Sequence, residues 1–183
     1  MTTFHVMTAV PLLAGMLLAA TIDASSRRIP NWLSLPMLVA GIVHSFLPGH
    51  LVTPMQSVLG LLAGFGLTFI LFAIDAMGGG DVKLLSAVGA WVGPETVLVI
   101  FLVEAVVGMV IVLIQALHQG RIKVLARNTA VVAINLVHIG EVGVEHAAAT
   151  GKQCRSVDRP LPYAVPVLLA TLLVLGMRWR GGW

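Results

Sequence analysis

Long apolar runs alternate with short polar breaks along this chain. Residues 4–22 form the first run, 19 residues long, enough for a helix to cross a bilayer at about 20 residues per crossing. A shorter run covers 33–47, and Pro48-Gly49-His50 turns the chain toward a third run at 57–74. Gly60, Gly64 and Gly66 dot that third run, and small residues at such spacing let membrane helices pack closely. The fourth run, 82–92, has only 11 residues; Gly93-Pro94 then leads into a fifth, 96–117. A polar stretch occupies 119–159, interrupted by ten mostly apolar residues, AVVAINLVHI, that suit an interfacial helix. The last run, 161–177, is followed by Arg178 and Arg180.

These runs predict an all-α polytopic membrane protein with about six transmembrane helices, the fourth short and preceded by a glycine loop. Composition strengthens that picture. The chain is 58% hydrophobic and 10% charged, whereas a soluble domain carries about 25% charged residues. Its 183 residues suit a single membrane-embedded domain, 1–183. The opening MTTFHV lacks the basic start of a secretory signal, so the first run is expected to stay as a span.

Charge sets the orientation. The net charge of +3 points to loops at the cytoplasmic face, not to nucleic acid, because basic residues gather on cytoplasmic loops. With six spans, Arg27, Arg28, Lys83, Arg121, Lys123, Arg127, Lys152, Arg155 and Arg159 share one side and Arg178 and Arg180 the other, nine against two. Without a crossing at 82–92 the split is five against six. The first split is the one the rule expects, and it makes 119–159 a long cytoplasmic loop whose basic residues can meet anionic lipid.

The candidate chemistry lies in two acids. GGGDVK, residues 78–83, brings Gly78, Gly79 and Gly80 straight into Asp81 between apolar runs. Asp23 ends the first run, in TIDASSRRIPN. Both topologies keep the two carboxylates on one membrane face. An ionisable residue at such a boundary is a functional candidate, although either acid alone serves equally well as a helix cap or a partner for a base. Together they suit an aspartyl protease. One ionised carboxylate takes a proton from water while its neutral partner donates to the substrate carbonyl, and close like charges raise one pKa.

Other constellations are weaker. The six histidines show no i, i+4 pair and no H-E-x-x-H, and Cys154 stands alone, so neither a metal site nor a disulfide is expected, and no cofactor. The acid after the three glycines argues against a phosphate cradle. Asp75 is an alternative second acid. Glu104, inside the fifth run, should face the bundle interior, either as a structural hydrogen-bonding group or as part of a transporter's polar path.

With these residues in place, the chain resembles the type IV prepilin peptidases, membrane aspartyl proteases with a G-x-G-D motif. Here that motif is Gly78-Gly79-Gly80-Asp81, extended by Val82-Lys83-Leu84-Leu85, and the second signature is Asp23 with Arg27-Arg28-Ile29-Pro30-Asn31. Leu161-Pro162-Tyr163-Ala164 is similar to the start of the family's last helix. The resemblance implies a peptidase that removes the basic leader from prepilins or pseudopilins at the cytoplasmic edge of the bacterial inner membrane. It implies Asp23 and Asp81 as the catalytic acids, glycines that let the loop close around a substrate helix, and Lys83 as a residue that orients the loop or binds a carboxylate. The partners it implies are that substrate helix, membrane lipid and pilus or secretion assembly components. No cysteine-bearing insertion is present, so methyltransferase activity is not expected. The compact form is similar to the branch serving tight-adherence (Flp-type) pili. The competing classes are a non-catalytic subunit of a pilus or secretion assembly machine and a small transporter.

Overall fold

The structure, a computed structural model, describes residues 2–47, 52–73, 77–137 and 162–179. They form seven helices: α1 (Thr2–Ser26), α2 (Asn31–His44), α3 (Pro54–Ala73), α4 (Gly79–Val92), α5 (Pro94–His118), α6 (Ile122–Val137) and α7 (Ala164–Trp179). Three stretches are long and apolar enough to cross a membrane: Thr8–Ser26, Pro54–Ala73 and Pro94–His118. Large apolar side chains such as Leu62, Ile70, Leu102 and Met109 are exposed on these helices, which suits a surface solvated by lipid tails.

One of the two shortest helices, α4, is the most enclosed. Ten of the 14 residues of α4 are buried, so its apolar character runs all round the helix instead of forming a stripe. At 1.5 Å per residue it is about 21 Å long, less than a hydrocarbon core of about 30 Å. That shortfall is tolerated because its neighbours α2, α3 and α5 cover it.

Backbone contact joins α3 to α4. Ser57, Gly60, Gly64 and Thr68 form the buried face of α3. A Cβ on Gly60 would stand 2.1 Å from the Gly89 carbonyl oxygen, and one on Gly64 would stand 2.6 Å from that of Leu85. Only glycine permits so close an approach. The Ser57 hydroxyl donates to the Ala90 carbonyl at 2.7 Å, which satisfies a polar group that lipid could not. On the other side of α4, Trp91 Nε1 donates to the Met37 carbonyl at 2.8 Å and the Trp91 ring stacks on His44, with centroids 5.1 Å apart.

Pairings at the helix ends show that the bundle helices alternate in direction. At one face, α1 ends beside the start of α7, with Asp23 against Ala164. The start of α2 meets the start of α4 there, with Asn31 against Lys83. At the opposite face, Thr8 and His44 share a hydrogen bond of 2.8 Å, and Arg178 Nη1 donates to the Thr96 hydroxyl at 2.7 Å. This up-and-down order of α1 to α5 and α7 is the one expected of six crossings.

Several boundaries differ from expectation. Asp23 does not follow the first helix but lies inside its last turn, because the Ser25 and Ser26 hydroxyls bond back to the Ile22 carbonyl and the helix runs on to Ser26. Residues 78–83 are not an open loop: Gly79 and Gly80 already belong to α4, and Gly78 precedes it in extended geometry. The helix expected at the AVVAINLVHI run starts earlier, at Ile122, and carries Lys123 and Arg127 among apolar residues. Asp75, Cys154 and most of the long loop lie outside the described residues.

Candidate active site

The two acids reach the site from helix ends of opposite sense. Asp23 sits in the last turn of α1 and is 5% exposed. Its Oδ2 accepts the backbone N–H of Ala164, at 3.0 Å, across 141 positions of sequence. The first amides of a helix have no partner within it, so the start of α7 supplies a free donor, and Asp23 takes it. A backbone N–H aimed at a carboxylate oxygen fixes the way that carboxylate points.

Asp81 occupies the first turn of α4. Its Oδ2 accepts the N–H of Gly78 at 3.1 Å, while its own N–H donates to the Gly78 carbonyl at 3.1 Å. Burial raises the Asp81 carboxyl from its ordinary 3.8 to about 6; the Gly78 N–H opposes that rise and the nearby charge of Asp23 adds to it. The two acids therefore share one electrostatic environment but have different donors.

The glycines and Lys83 shape the approach to α4. A Cβ on Gly80 would stand 3.2 Å from the Ile29 Cβ, so the bare backbone lets the Arg28-Ile29-Pro30 segment lie against the start of α4. Ile29 is buried there. Gly79 faces the ring of Phe72, the nearest atom 3.5 Å from a Cβ built on the glycine. Lys83 Nζ donates to Asn31 Oδ1 at 2.8 Å; its partner there is an amide, and the bond ties α4 to the first residue of α2. The Pro-Asn pair after Asp23 thus has a structural role. Pro30 ends the connection in extended geometry, and Asn31 receives Lys83.

Glu104, expected to face the bundle interior, and Tyr163 of the LPYA stretch also meet here. The Tyr163 hydroxyl donates to Glu104 Oε1 on α5, and both groups are close enough to Asp81 to feel its charge. The LPYA stretch was legible as a helix start, but the contribution of Ala164 is a backbone amide, which no residue type announces. Among the described residues, no group of three His, Cys, Asp or Glu side chains stands together as a metal site.

Comparison with known proteins agrees with this geometry. The profile described as "Type IV leader peptidase family" matches residues 10–113, more than half of the chain and both acids. The chain is 31% identical over 118 residues to a prepilin leader peptidase/N-methyltransferase of Neisseria gonorrhoeae, covering 60% of this chain and 41% of that protein. It is 34% identical over 122 residues to the protein of that name in Aeromonas hydrophila, covering 60% of this chain and 42% of the relative. The Burkholderia pseudomallei (strain K96243) protein is 34% identical over 119 residues, covering 61% and 38%. The chain thus spans about two fifths of the length of these curated relatives. No solved structure matches. By the family profile, the chain belongs to the type IV leader peptidase family.

Proposed function

We propose that this member of the type IV leader peptidase family is a membrane aspartyl endopeptidase that removes the basic leader of prepilins or pseudopilins. The supporting observation is the meeting of Asp23 and Asp81 at one face of the bundle, each on a different backbone donor and one carboxyl raised toward neutrality. The relatives' printed names support the substrate class, and the nine-to-two distribution of basic residues supports a cytoplasmic site in the bacterial inner membrane.

The residues divide the work by environment. Asp23, held by the Ala164 amide, accepts a proton from a water between the acids as its oxygen attacks the scissile carbonyl carbon. Asp81, whose carboxyl burial raises to about 6, gives its proton to the carbonyl oxygen. The tetrahedral diol then collapses: the C–N bond breaks, the leaving nitrogen takes the proton from Asp23, and a diol hydroxyl returns one to Asp81. Gly78, Gly79 and Gly80 admit the polypeptide close to Asp81, and Lys83 steadies the first turn. The whole chain acts as one peptidase domain, with pilus or secretion assembly components as further partners.

Co-expression with a Flp-type prepilin tests this reading, with leader removal followed by gel shift and N-terminal sequencing. Wild type is expected to cleave; Asp23→Asn and Asp81→Asn are expected to reach the membrane at equal abundance and not to cleave. Normal processing by either variant would sink the dyad. Assembly supported by both variants would favour the non-catalytic subunit.

A further inference from the structure

Glu104 is 4% exposed on α5, within a stretch apolar enough to cross the membrane. An ionisable group there is costly and needs a reason, and the two-aspartate chemistry does not use it. Its Oε1 accepts the Tyr163 hydroxyl, which joins α5 to the segment just before α7 across 59 positions of sequence. Its Oε2 is buried without a hydrogen-bond partner among the described residues. Tyr163 in turn is joined to Ala164 by the very peptide whose N–H donates to Asp23. That peptide is planar, so fixing Tyr163 restricts where its N–H can point. The backbone adds two bonds around this turn: Val165 N–H to the Pro162 carbonyl at 3.2 Å and Val167 N–H to the Tyr163 carbonyl at 3.5 Å.

We infer that the Glu104–Tyr163 hydrogen bond is a latch that fixes the start of α7 and, through the Ala164 amide, sets the Asp23 carboxylate for the reaction. Glu104 and Tyr163 are positioning residues; neither is assigned contact with the substrate. The inference rests on the peptidase reading for its catalytic consequence, while the latch itself is a statement about α7.

Four variants test it: Glu104→Gln, which keeps an acceptor for the Tyr163 hydroxyl, Glu104→Leu, Tyr163→Phe, and the Glu104→Leu/Tyr163→Phe double. Prepilin cleavage should show kcat lower by on the order of 100-fold in Glu104→Leu and Tyr163→Phe, as for a misplaced reacting group, with KM little changed. Glu104→Gln should restore most of the wild-type kcat, and the double should be no worse than either single, because both remove one bond. Wild-type kcat in Tyr163→Phe or Glu104→Leu, a loss in KM alone, or no rescue by Gln would each overturn the latch. Amide hydrogen exchange in residues 163–168 provides the readout independent of cleavage. It should quicken in Glu104→Leu and Tyr163→Phe at temperatures where both remain folded, and not in Glu104→Gln. Unchanged exchange overturns the latch whatever the cleavage result. Failure of the wild type to cleave, with the exchange pattern as expected, overturns the peptidase reading and leaves the latch standing.

Discussion

The two ends of α4 solve opposite problems. Toward its C-terminus the helix is sealed: Gly89 lies backbone to backbone on Gly60, Ser57 closes on Ala90, and Trp91 is fastened to α2. Toward its N-terminus polar bonds gather instead: Asp81 takes the Gly78 amide, Lys83 bonds Asn31 at the start of α2, and nearby Asp23 of α1 takes the Ala164 amide of α7. The sealed end is held by backbone contact and by the Trp91 ring, on which His44 stacks. The polar end sets two carboxylates among these bonds, Asp23 almost wholly buried. A close-packed seam therefore carries a polar chemical end, and damage to each should look different.

The largest separation should come from the acids. Asp23→Asn and Asp81→Asn are expected to lower cleavage by about 10³-fold or more, in the range for a positioned acid or base, with melting temperature in detergent little changed. Comparable loss of folded protein would show that the acids hold the bundle and would erase the contrast. Gly60→Leu is expected to do the reverse. With a Cβ 2.1 Å from the Gly89 carbonyl oxygen, α3 and α4 must separate, at a cost of at least about 1–3 kcal/mol. Membrane abundance and thermal unfolding should fall, and the surviving fraction should still cleave.

The pH response sharpens the comparison from the polar end. Burial raises Asp81 to about 6, so its acidic form is present below that pH and is lost as pH rises through it. kcat/KM, which reports the free enzyme, should fall up to tenfold per pH unit above about 6. A flat profile across that range, with chemistry rate-limiting, would contradict Asp81 as the proton donor. Gly80→Ala should have the smallest effect. Its Cβ would press on Ile29 at 3.2 Å, a contact that a few tenths of an ångström relieves, so kcat should drop only a few-fold with no change in unfolding temperature. A loss as great as that of the aspartate variants would mean that the Ile29 segment must fit α4 more tightly than its geometry suggests.

How much of this was legible beforehand depends on where the information resides. Apolar run lengths mark the bundle because transfer into lipid acts residue by residue along the chain. GGGD and the aspartate of TIDASSRRIPN mark the acids because a charge at a membrane boundary needs a reason. Both readings of the short fourth run keep them on one face. Local detail was less visible: Gly79 and Gly80, weak helix formers, belong to a helix because α4 is covered by its neighbours, and Asp23 lies within α1 because serine hydroxyls extend its last turn.

The sequence by itself therefore determined the helical class and the approximate apolar runs and marked two candidate carboxylates, since each depends on composition over short stretches. Only the tertiary structure decided which amide holds Asp23, that Glu104 is bound by Tyr163, and that Gly60 faces Gly89. Those contacts join residues 141, 59 and 29 positions apart, and two of the three involve backbone atoms that every residue possesses. Packing chooses among such groups; their residue types do not.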